Sequence, residues 1–375
     1  MELFQLLKAM VDYNASDLFL SMGAPPNIKI EGATRPLEAP AMKPGEVKAL
    51  AYSVMNERQS RDFEETLEAN LAISAEGIGR FRINAYLQKG EVAMVVRYIK
   101  SKIPSFAALN LPPLLGELVM KKRGLVLIVG SAGSGKSTTM AAMVDYRNQN
   151  ATGHILTIED PIEFMHVHGK SIVDQREVGI DTHSFDEALR NAMREAPDMI
   201  VIGEIRDRQT MQHAVAYAET GHLCISTLHA NNANQALERV INFFPEDAHR
   251  QLFMDLSLNL QGVISQRLVP GLNQKLVPAI EVMLTSPYVA DLIQKGRVDE
   301  IKAAMAKSAE IGMRTFDQSL YDLYMDRKIS LEEALHHADS RTDLALRVRL
   351  SIGKRASDAP DLGLGEWKRD PKEKA

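Results

Sequence analysis

The sequence predicts an α/β protein of two domains, a small α+β domain followed by a larger domain built on a parallel sheet. The chain has 375 residues, more than the ~100–200 residues of an ordinary single domain. Short strands separated by turn residues give way, beyond residue 113, to apolar strands that alternate with helical stretches. A glycine-rich loop follows the first of these apolar strands. We expect the domains to span residues 1–100 and 114–350.

The first domain is predicted from helical spacing and from hairpin signals. Residues 2–13 place apolar side chains three and four positions apart, which is typical of an amphipathic helix. Gly-containing breaks separate the later strand-like runs, as in β-hairpins. Two further helices are expected over residues 45–55 and 57–66, and strands over residues 17–20, 27–30, 67–74, 80–87 and 92–99. This pattern favours an antiparallel sheet.

A proline-rich linker separates the two domains. Pro104, Asn110, Pro112 and Pro113 mark it, and we assign it residues 101–113. Beyond it, continuous apolar runs indicate strands that are buried on both faces, as in parallel sheets. From about residue 287 the pattern is helical with no further strand, and residues 351–375, rich in Asp, Lys, Pro and Gly, are expected to form a disordered tail.

Composition excludes several classes of protein. The formal net charge of −5 argues against an obligate nucleic-acid binder, which normally has a basic excess, so no nucleic-acid partner is expected. The single cysteine, Cys224, excludes an intrachain disulfide and a cysteine-rich zinc site. The N-terminus does not resemble a signal peptide, and no apolar run reaches the ~18 residues of a membrane span. We therefore expect a cytoplasmic protein.

The strongest motif is a phosphate-binding loop that fits G-x-x-x-x-G-K-[ST]. An apolar strand precedes it and a helical stretch follows, so backbone N–H groups and a helix N-terminus converge on phosphate oxygens. We expect the lysine to reach the β- and γ-phosphates of ATP and the serine to ligate Mg²⁺. The predicted nucleotide-binding residues are Gly130, Ser131, Ala132, Gly133, Ser134, Gly135, Lys136, Ser137 and Thr138.

Two acidic segments follow further apolar strands. Glu204 ends the run 198–204, and ligands of parallel α/β sheets lie beyond such strand ends, so we expect Glu204 to contact Mg²⁺. The other segment carries Glu159, Asp160 and Glu163, a cluster of like charge that a cation or an activated water would relieve. Glu163 is our candidate for polarising the attacking water, although the pattern alone does not separate it from Glu159 or from a solvated acidic turn.

Two histidines and three arginines complete the candidates. His222 and His229 bracket a strand-like run, and both a functional and a purely structural role fit them; a zinc site is excluded because four suitable ligands are missing. Arg80 and Arg82 share one face of a strand and Arg97 lies on the next strand. They could meet the phosphates of a neighbouring subunit, as an arginine finger does, or form a solvated basic face.

Taken together, these motifs resemble the secretion ATPase superfamily. Its Walker A, Asp box, Walker B and His box occur here in the same order, at residues 130–137, 157–163, 198–204 and 220–229. Within it the chain is similar to the PilT/PilU branch of type IV pilus retraction ATPases. Pilus-extension and type II secretion ATPases carry a longer N-terminal domain and a four-cysteine zinc module, which one cysteine excludes. Residues 195–198, 288–297 and 338–344 resemble PilU more than PilT.

The resemblance implies a fold, an assembly and roles for the candidate residues. It implies a PAS-like N-terminal domain, a RecA-like P-loop NTPase domain and a homo-hexameric ring. Its catalytic and sensor residues would be Glu163, Glu204, His222 and His229, and its neighbour-facing residues Arg80, Arg82 and Arg97.

The resemblance also implies an ATP-hydrolysing, Mg²⁺-dependent motor that powers or assists pilus retraction and twitching motility. Such a motor would be peripherally associated with the inner membrane at the pilus base. Its partners would be a PilT-like ATPase and an inner-membrane platform protein. Two other functions stay open: a RecA-like DNA motor, which the negative charge and the absence of an aromatic basic loop oppose, and a nucleotide-binding scaffold ring with little turnover, which the intact acids oppose.

Overall fold

Two β-sheets organise the chain. The structure, a computed structural model, describes residues 2–353 apart from residues 31 and 274. One sheet has six strands and occupies residues 17–99, and the other has seven strands within residues 124–284. Of the tail predicted over residues 351–375, residues 351–353 end the last helix and the rest lies outside the described residues.

The six-stranded sheet is antiparallel throughout, with the strand order β3-β2-β1-β6-β5-β4. Three helices accompany it, and the first buries the apolar stripe that the sequence predicts. The elements are α1 (Leu3–Asp12), β1 (Asp17–Leu20), β2 (Asn27–Ile30), β3 (Ala33–Pro36), α2 (Glu46–Tyr52), α3 (Glu57–Thr66), β4 (Glu68–Ala75), β5 (Gly79–Gln88) and β6 (Glu91–Ile99).

Strand β5 shows why this sheet has one apolar and one polar face. Phe81, Ile83 and Ala85 are fully buried in the N-terminal core, whereas Arg80 and Arg82 point to the opposite face. Alternation follows from the two-residue period of a strand. The edge strand β3 was not predicted, because all four of its residues are exposed and it carries no apolar alternation.

The seven-stranded sheet has the order β13-β12-β7-β11-β10-β8-β9, and only its edge strand β13 is antiparallel to its neighbour. The strands of this sheet are β7 (Gly124–Val129), β8 (Gly153–Glu159), β9 (Ser171–Glu177), β10 (Met199–Glu204), β11 (Leu223–Leu228), β12 (Leu260–Pro270) and β13 (Leu276–Leu284).

Helices lie on both faces of this sheet, and five more α-helices follow its last strand in the described part of the chain. They are α4 (Leu114–Val119), α5 (Lys136–Asn150), α6 (Phe185–Ala192), α7 (Arg208–Glu219), α8 (Ala233–Asn242), α9 (His249–Asn259), α10 (Pro287–Gln294), α11 (Ile301–Ala306), α12 (Phe316–Met325), α13 (Leu331–His336) and α14 (Arg341–Gly353). Within residues 2–353, every helix is too short or too polar to cross a bilayer.

The central strand β7 is buried along its whole length. Leu125, Leu127 and Val129 pack into one apolar cluster, and Val126 and Ile128 pack into another on the opposite face. Both faces are therefore covered, as the continuous apolar run predicts for a parallel strand. Because β7, β8, β10 and β11 are parallel, their carboxyl ends lie along one edge of the sheet, where the acids and the glycine-rich loop meet.

Residues 101–113, predicted as a linker, contain neither helix nor strand. At the start of this segment, Lys100 forms a parallel bridge with Phe164 of the second domain, and the Met165 N–H donates to the Lys100 carbonyl at 3.0 Å. The connection between the sheets is thus anchored beside the acidic segment that follows β8.

Replacing Phe81 with alanine is expected to destabilise the N-terminal sheet by about 3–5 kcal/mol. The ring is fully buried and its centre lies 5.3 Å from that of Tyr98, so truncation removes contacts and leaves a cavity. Guanidinium unfolding followed by circular dichroism measures the loss. Leu87→Ala on the same strand is the control, because Leu87 is 41% exposed and should cost about 0.5 kcal/mol or less. Equal losses would contradict the burial pattern.

Candidate functional site

The glycine-rich loop joins the carboxyl end of β7 to the N-terminus of α5. Gly133 and Gly135 have φ values of 75° and 88°, in the left-handed region that favours glycine. At Gly130 a Cβ atom would lie 2.6 Å from the Gln266 carbonyl oxygen, too close for any side chain. Glycine is therefore favoured by the backbone conformation at Gly133 and Gly135, and by lack of space at Gly130.

Lys136 closes the loop upon itself. Its Nζ donates to the carbonyl oxygens of Gly130 at 2.9 Å and Ser131 at 2.8 Å. An ammonium group has three donors, so one remains for a phosphate oxygen. Burial lowers the pKa of Lys136, while the nearby carboxylates of Glu204 and Glu163 oppose that shift. The loop thus holds a desolvated cation next to two acids.

A cavity of about 270 Å³ opens beside the loop and is lined by part of the predicted site. The predicted residues that line it are Ala132, Gly133, Lys136, Ser137, Glu163, Glu204 and His229. Glu159, Asp160 and Arg206 line the same space. Gly130 and Ser131 instead line an adjoining cavity of about 460 Å³, which also reaches His229. Segments far apart in sequence therefore meet at one edge of the sheet.

Glu204 is held at both carboxylate oxygens. Its Oε2 accepts a hydrogen bond from Arg206 Nε at 2.7 Å, and its Oε1 lies 3.1 Å from Nε2 of His229. The preceding Gly203 lets β10 approach β8 closely, since a Cβ there would lie 3.2 Å from the Cα of Glu159. The acid predicted from the end of an apolar strand thus sits beside both the histidine and the second acidic segment.

Glu159 and Glu163 occupy contrasting environments. Glu159 is buried, and its Oε1 accepts hydrogen bonds from Thr157 Oγ1 at 2.7 Å and from Gln175 Nε2 at 3.2 Å. Burial raises the pKa of Glu159 to about 7, despite those two hydrogen bonds. Glu163 is exposed at the cavity surface. Of the two acids that the sequence leaves undecided, Glu163 is the one that solvent reaches.

His222 and His229 lie at opposite ends of β11. Six strand residues separate them, which corresponds to on the order of 20 Å. His229 follows the carboxyl end and faces the cavity, whereas His222 precedes the amino end, where its Nδ1 lies 3.1 Å from the hydroxyl of Thr220. Within one chain, the structure brings His229 to the loop and leaves His222 away from it.

The three arginines share the polar face of the N-terminal sheet, with Arg82 and Arg97 directly opposite each other in register. Arg97 Nε contacts Asp17 Oδ1 at 2.8 Å, and Arg82 Nε lies 3.9 Å from Oε1 of Glu177 at the end of β9. The Nε of Arg80 is buried without a hydrogen-bond partner. Burial raises the pKa of Glu177, and Arg82 and Arg80 oppose that shift. Within one chain these arginines do not line the cavity beside the loop.

Two residues at the site were not predicted from the sequence as functional candidates. Gln266 comes from β12 and accepts a hydrogen bond from Thr139 Oγ1 at 2.6 Å, but no local pattern links it to the loop. Arg206 bridges Glu204 and Asp160, with Nη1 3.4 Å from Oδ2 of Asp160. Its position two residues after the strand-terminal acid is a signal that could have identified it.

The oxygen donors at the cavity suit a Mg²⁺ ion that substrate phosphates also coordinate, rather than a metal ion held by protein side chains alone. Among the described residues no group of three or more His, Cys, Asp or Glu side chains is arranged to hold a metal ion. Mg²⁺ characteristically uses one or two protein oxygens, with substrate phosphates and water completing its coordination. The Ser137 hydroxyl and the Glu204 carboxylate, which line one cavity with the phosphate loop, match that requirement.

Comparison with known proteins places the chain among pilus and secretion ATPases. A family model described as Type II/IV secretion system protein matches residues 5–334. The chain is 53% identical to the type IV pilus ATPase PilU of Pseudomonas aeruginosa over 368 residues, which cover 97% of this chain and 96% of that protein. It is 42% identical to the type IV pilus retraction ATPase PilT of the same organism, over 90% of this chain and 98% of the relative.

A solved structure gives the same result for the fold. The crystal structure of the pilus retraction motor PilT with bound ADP superposes with a TM-score of 0.86 at 41% sequence identity. The match covers 92% of this chain and 99% of the PilT chain. The match to the PilT structure therefore includes both sheets described above.

Glu159→Gln is expected to make the stability of the protein less dependent on pH. A carboxyl whose pKa is raised to about 7 binds its proton more tightly when folded, so stability falls as pH rises from about 4.5 through 7. The amide keeps the oxygen that accepts from Thr157 and Gln175. Between about pH 5.5 and pH 8 the wild type should lose about 2 kcal/mol more unfolding free energy than the variant.

Guanidinium unfolding at several pH values, without nucleotide, measures this difference. Glu68→Gln is the control, because Glu68 is an exposed glutamate and its amide variant should follow the wild-type pH dependence. Parallel pH profiles for the wild type and Glu159→Gln would contradict the buried, proton-binding carboxyl.

Proposed function

The chain belongs to the Type II/IV secretion system protein family, and within it we propose an ATP-hydrolysing motor that powers or assists type IV pilus retraction and twitching motility. The observation that carries the proposal is the meeting of the phosphate loop with Glu163, Glu204 and His229 in one cavity. Relatives that are pilus ATPases support it. The 53% identity to PilU favours an accessory ATPase that works beside a PilT-type motor.

ATP binding follows from the loop geometry. The N-terminus of α5 and the loop N–H groups form a site for the phosphates, and Lys136 supplies the remaining positive charge. Thr138 follows in the first turn of that helix. Ser137 and Glu204 would hold Mg²⁺, which neutralises charge on the phosphate oxygens when it is bound.

Hydrolysis needs a group that orients water opposite the leaving ADP. We assign this role to Glu163, because it is an exposed carboxylate at the cavity, whereas Glu159 is buried and hydrogen-bonded. Water attacks the γ-phosphorus, the bond to the bridging oxygen of ADP breaks, and Glu163 orients the water and takes its proton. His229, whose Nε2 lies 3.1 Å from Glu204, would sense the γ-phosphate.

The active assembly is proposed to be a homo-hexameric ring. Each subunit would contribute a PAS-like domain over residues 1–100, a linker over 101–113 and a RecA-like domain over 114–350. Arg80, Arg82 and Arg97 would face the nucleotide of a neighbouring subunit, and His222 would act as a second sensor in the ring. Support for these roles comes from the shared polar face of the arginines and from the distance of His222 from its own loop.

Force would come from a change in domain contacts. Loss of the γ-phosphate would weaken contacts that hold the two domains together, since a ligand shifts an equilibrium through its different affinity for two states. Repeated around the ring, this movement would act on an inner-membrane platform protein. The protein is accordingly proposed to work in the cytoplasm, peripherally associated with the inner membrane at the pilus base.

Lys136→Ala is expected to weaken ATP binding roughly 10- to 100-fold, because it removes a charged donor from the phosphates. Titration with a fluorescent ATP analogue measures the change. Lys122→Ala removes an exposed lysine that precedes β7 and serves as the control. Unchanged binding in the Lys136 variant would reject the phosphate-loop assignment.

Glu163→Gln is expected to bind ATP normally and to lower kcat by about 100-fold or more, the usual contribution of a general base. Phosphate release measures turnover, with and without a PilT-like ATPase. Glu117→Gln, at an exposed acid on α4 that lines neither cavity beside the loop, is the matched control. Full turnover by the Glu163 variant would move the base elsewhere, and wild-type protein without turnover in either setting would favour a scaffold ring.

A further inference from the structure

Arg206 joins two acids that come from neighbouring strands. Its Nε donates to Glu204 Oε2 at 2.7 Å, and its Nη1 lies 3.4 Å from Asp160 Oδ2. Glu204 ends β10, and Asp160 directly follows β8. One planar guanidinium therefore spans the gap between two strand ends at the edge where the nucleotide is proposed to bind.

The contact leaves Glu204 with little rotational freedom. With Arg206 on Oε2 and His229 Nε2 3.1 Å from Oε1, both oxygens are held and the plane of the carboxylate is fixed. The same cavity contains other carboxyl groups, which repel Glu204 when they are ionised. The acids that line the cavity are Glu159, Asp160, Glu163 and Glu204.

We propose that Arg206 is a positioning residue for ATP hydrolysis: it fixes the orientation of the Glu204 carboxylate toward the phosphate loop by tying it to Asp160. The inference rests on the function proposed above. Arg206 acts through Glu204 and need not touch ATP itself. Its guanidinium reaches both acids at once through different nitrogens, which the single ammonium of lysine does not reproduce.

An ordinary surface ion pair would behave differently. The Arg206 side chain is 55% exposed, and exposed pairs contribute little to stability. A merely structural contact of this kind would leave both stability and turnover unchanged when it is removed. A positioning contact would leave stability unchanged and lower turnover, because a small misplacement of a catalytic group costs rate.

The test compares Arg206→Gln and Arg206→Lys with Arg208→Gln. Arg208 begins α7 two residues away and stacks on Phe244 at 5.5 Å, so it controls for loss of a positive charge in the same segment. We expect Arg206→Gln to lower kcat about 10-fold or more, with KM and the Kd of a fluorescent ATP analogue within about twofold. Melting temperatures should stay within about 2 °C. Arg206→Lys should recover part of kcat, and Arg208→Gln should match the wild type.

A double variant isolates the route of the effect. If Arg206 acts through Glu204, then Arg206→Gln adds at most a twofold loss in a Glu204→Gln background, because groups that act as a unit are not additive. A full, independent loss in that background would overturn the proposal. So would a fall in analogue affinity equal to the fall in kcat/KM, since Arg206 would then contact ATP directly.

These outcomes separate the inference from the proposed function. Equal kcat values for Arg206→Gln and Arg208→Gln, with Glu204→Gln slowed but still measurable, would overturn the positioning role alone. Full turnover in Glu204→Gln would overturn the assignment of the acid, and the role of Arg206 with it.

Discussion

The site depends on one geometric constraint: the carboxyl ends of β7, β8, β10 and β11 are held in register at one edge of the sheet. β7 enters the phosphate loop, β8 and β10 bring acids, and β11 brings His229, all at the carboxyl edge of one sheet. Backbone hydrogen bonding fixes the register between these strands, and this register brings the side chains that follow them close together. The close approach at Gly203 tightens the same edge. The candidate functional side chains are therefore concentrated at this edge of the sheet.

Burial then distinguishes the acids from one another. Glu159 is buried and hydrogen-bonded, and because its pKa is raised to about 7 it is only partly ionised near neutral pH. Glu163, which lines the same cavity, is exposed. Glu204 is neither free nor enclosed, since an arginine and a histidine each hold one of its oxygens. Three carboxylates within one cavity therefore differ in accessibility and freedom, which residue type alone does not convey.

Local sequence patterns predicted the parts of this arrangement that lie within one segment. The loop, the apolar strands and the acid at the end of β10 each carry their signal in neighbouring residues. Contacts between segments that are distant in sequence have no such local signal. Gln266 of β12 contacts Thr139 beside the loop, and Arg206, which follows β10, contacts Asp160, which follows β8. Strand β3 was missed because an exposed edge has no apolar period. The two histidines looked equivalent in sequence, yet a strand separates them along its length.

The pairing of β9 with β8 has a mechanical consequence. Glu177, which faces Arg82 of the N-terminal sheet, is the register partner of Glu159, and the Val178 N–H donates to the Glu159 carbonyl at 2.9 Å. The N-terminal sheet thus touches a strand that is bonded directly to the wall of the cavity. The cavity wall and the N-terminal sheet are therefore connected through one ladder of backbone hydrogen bonds and the contact between Arg82 and Glu177.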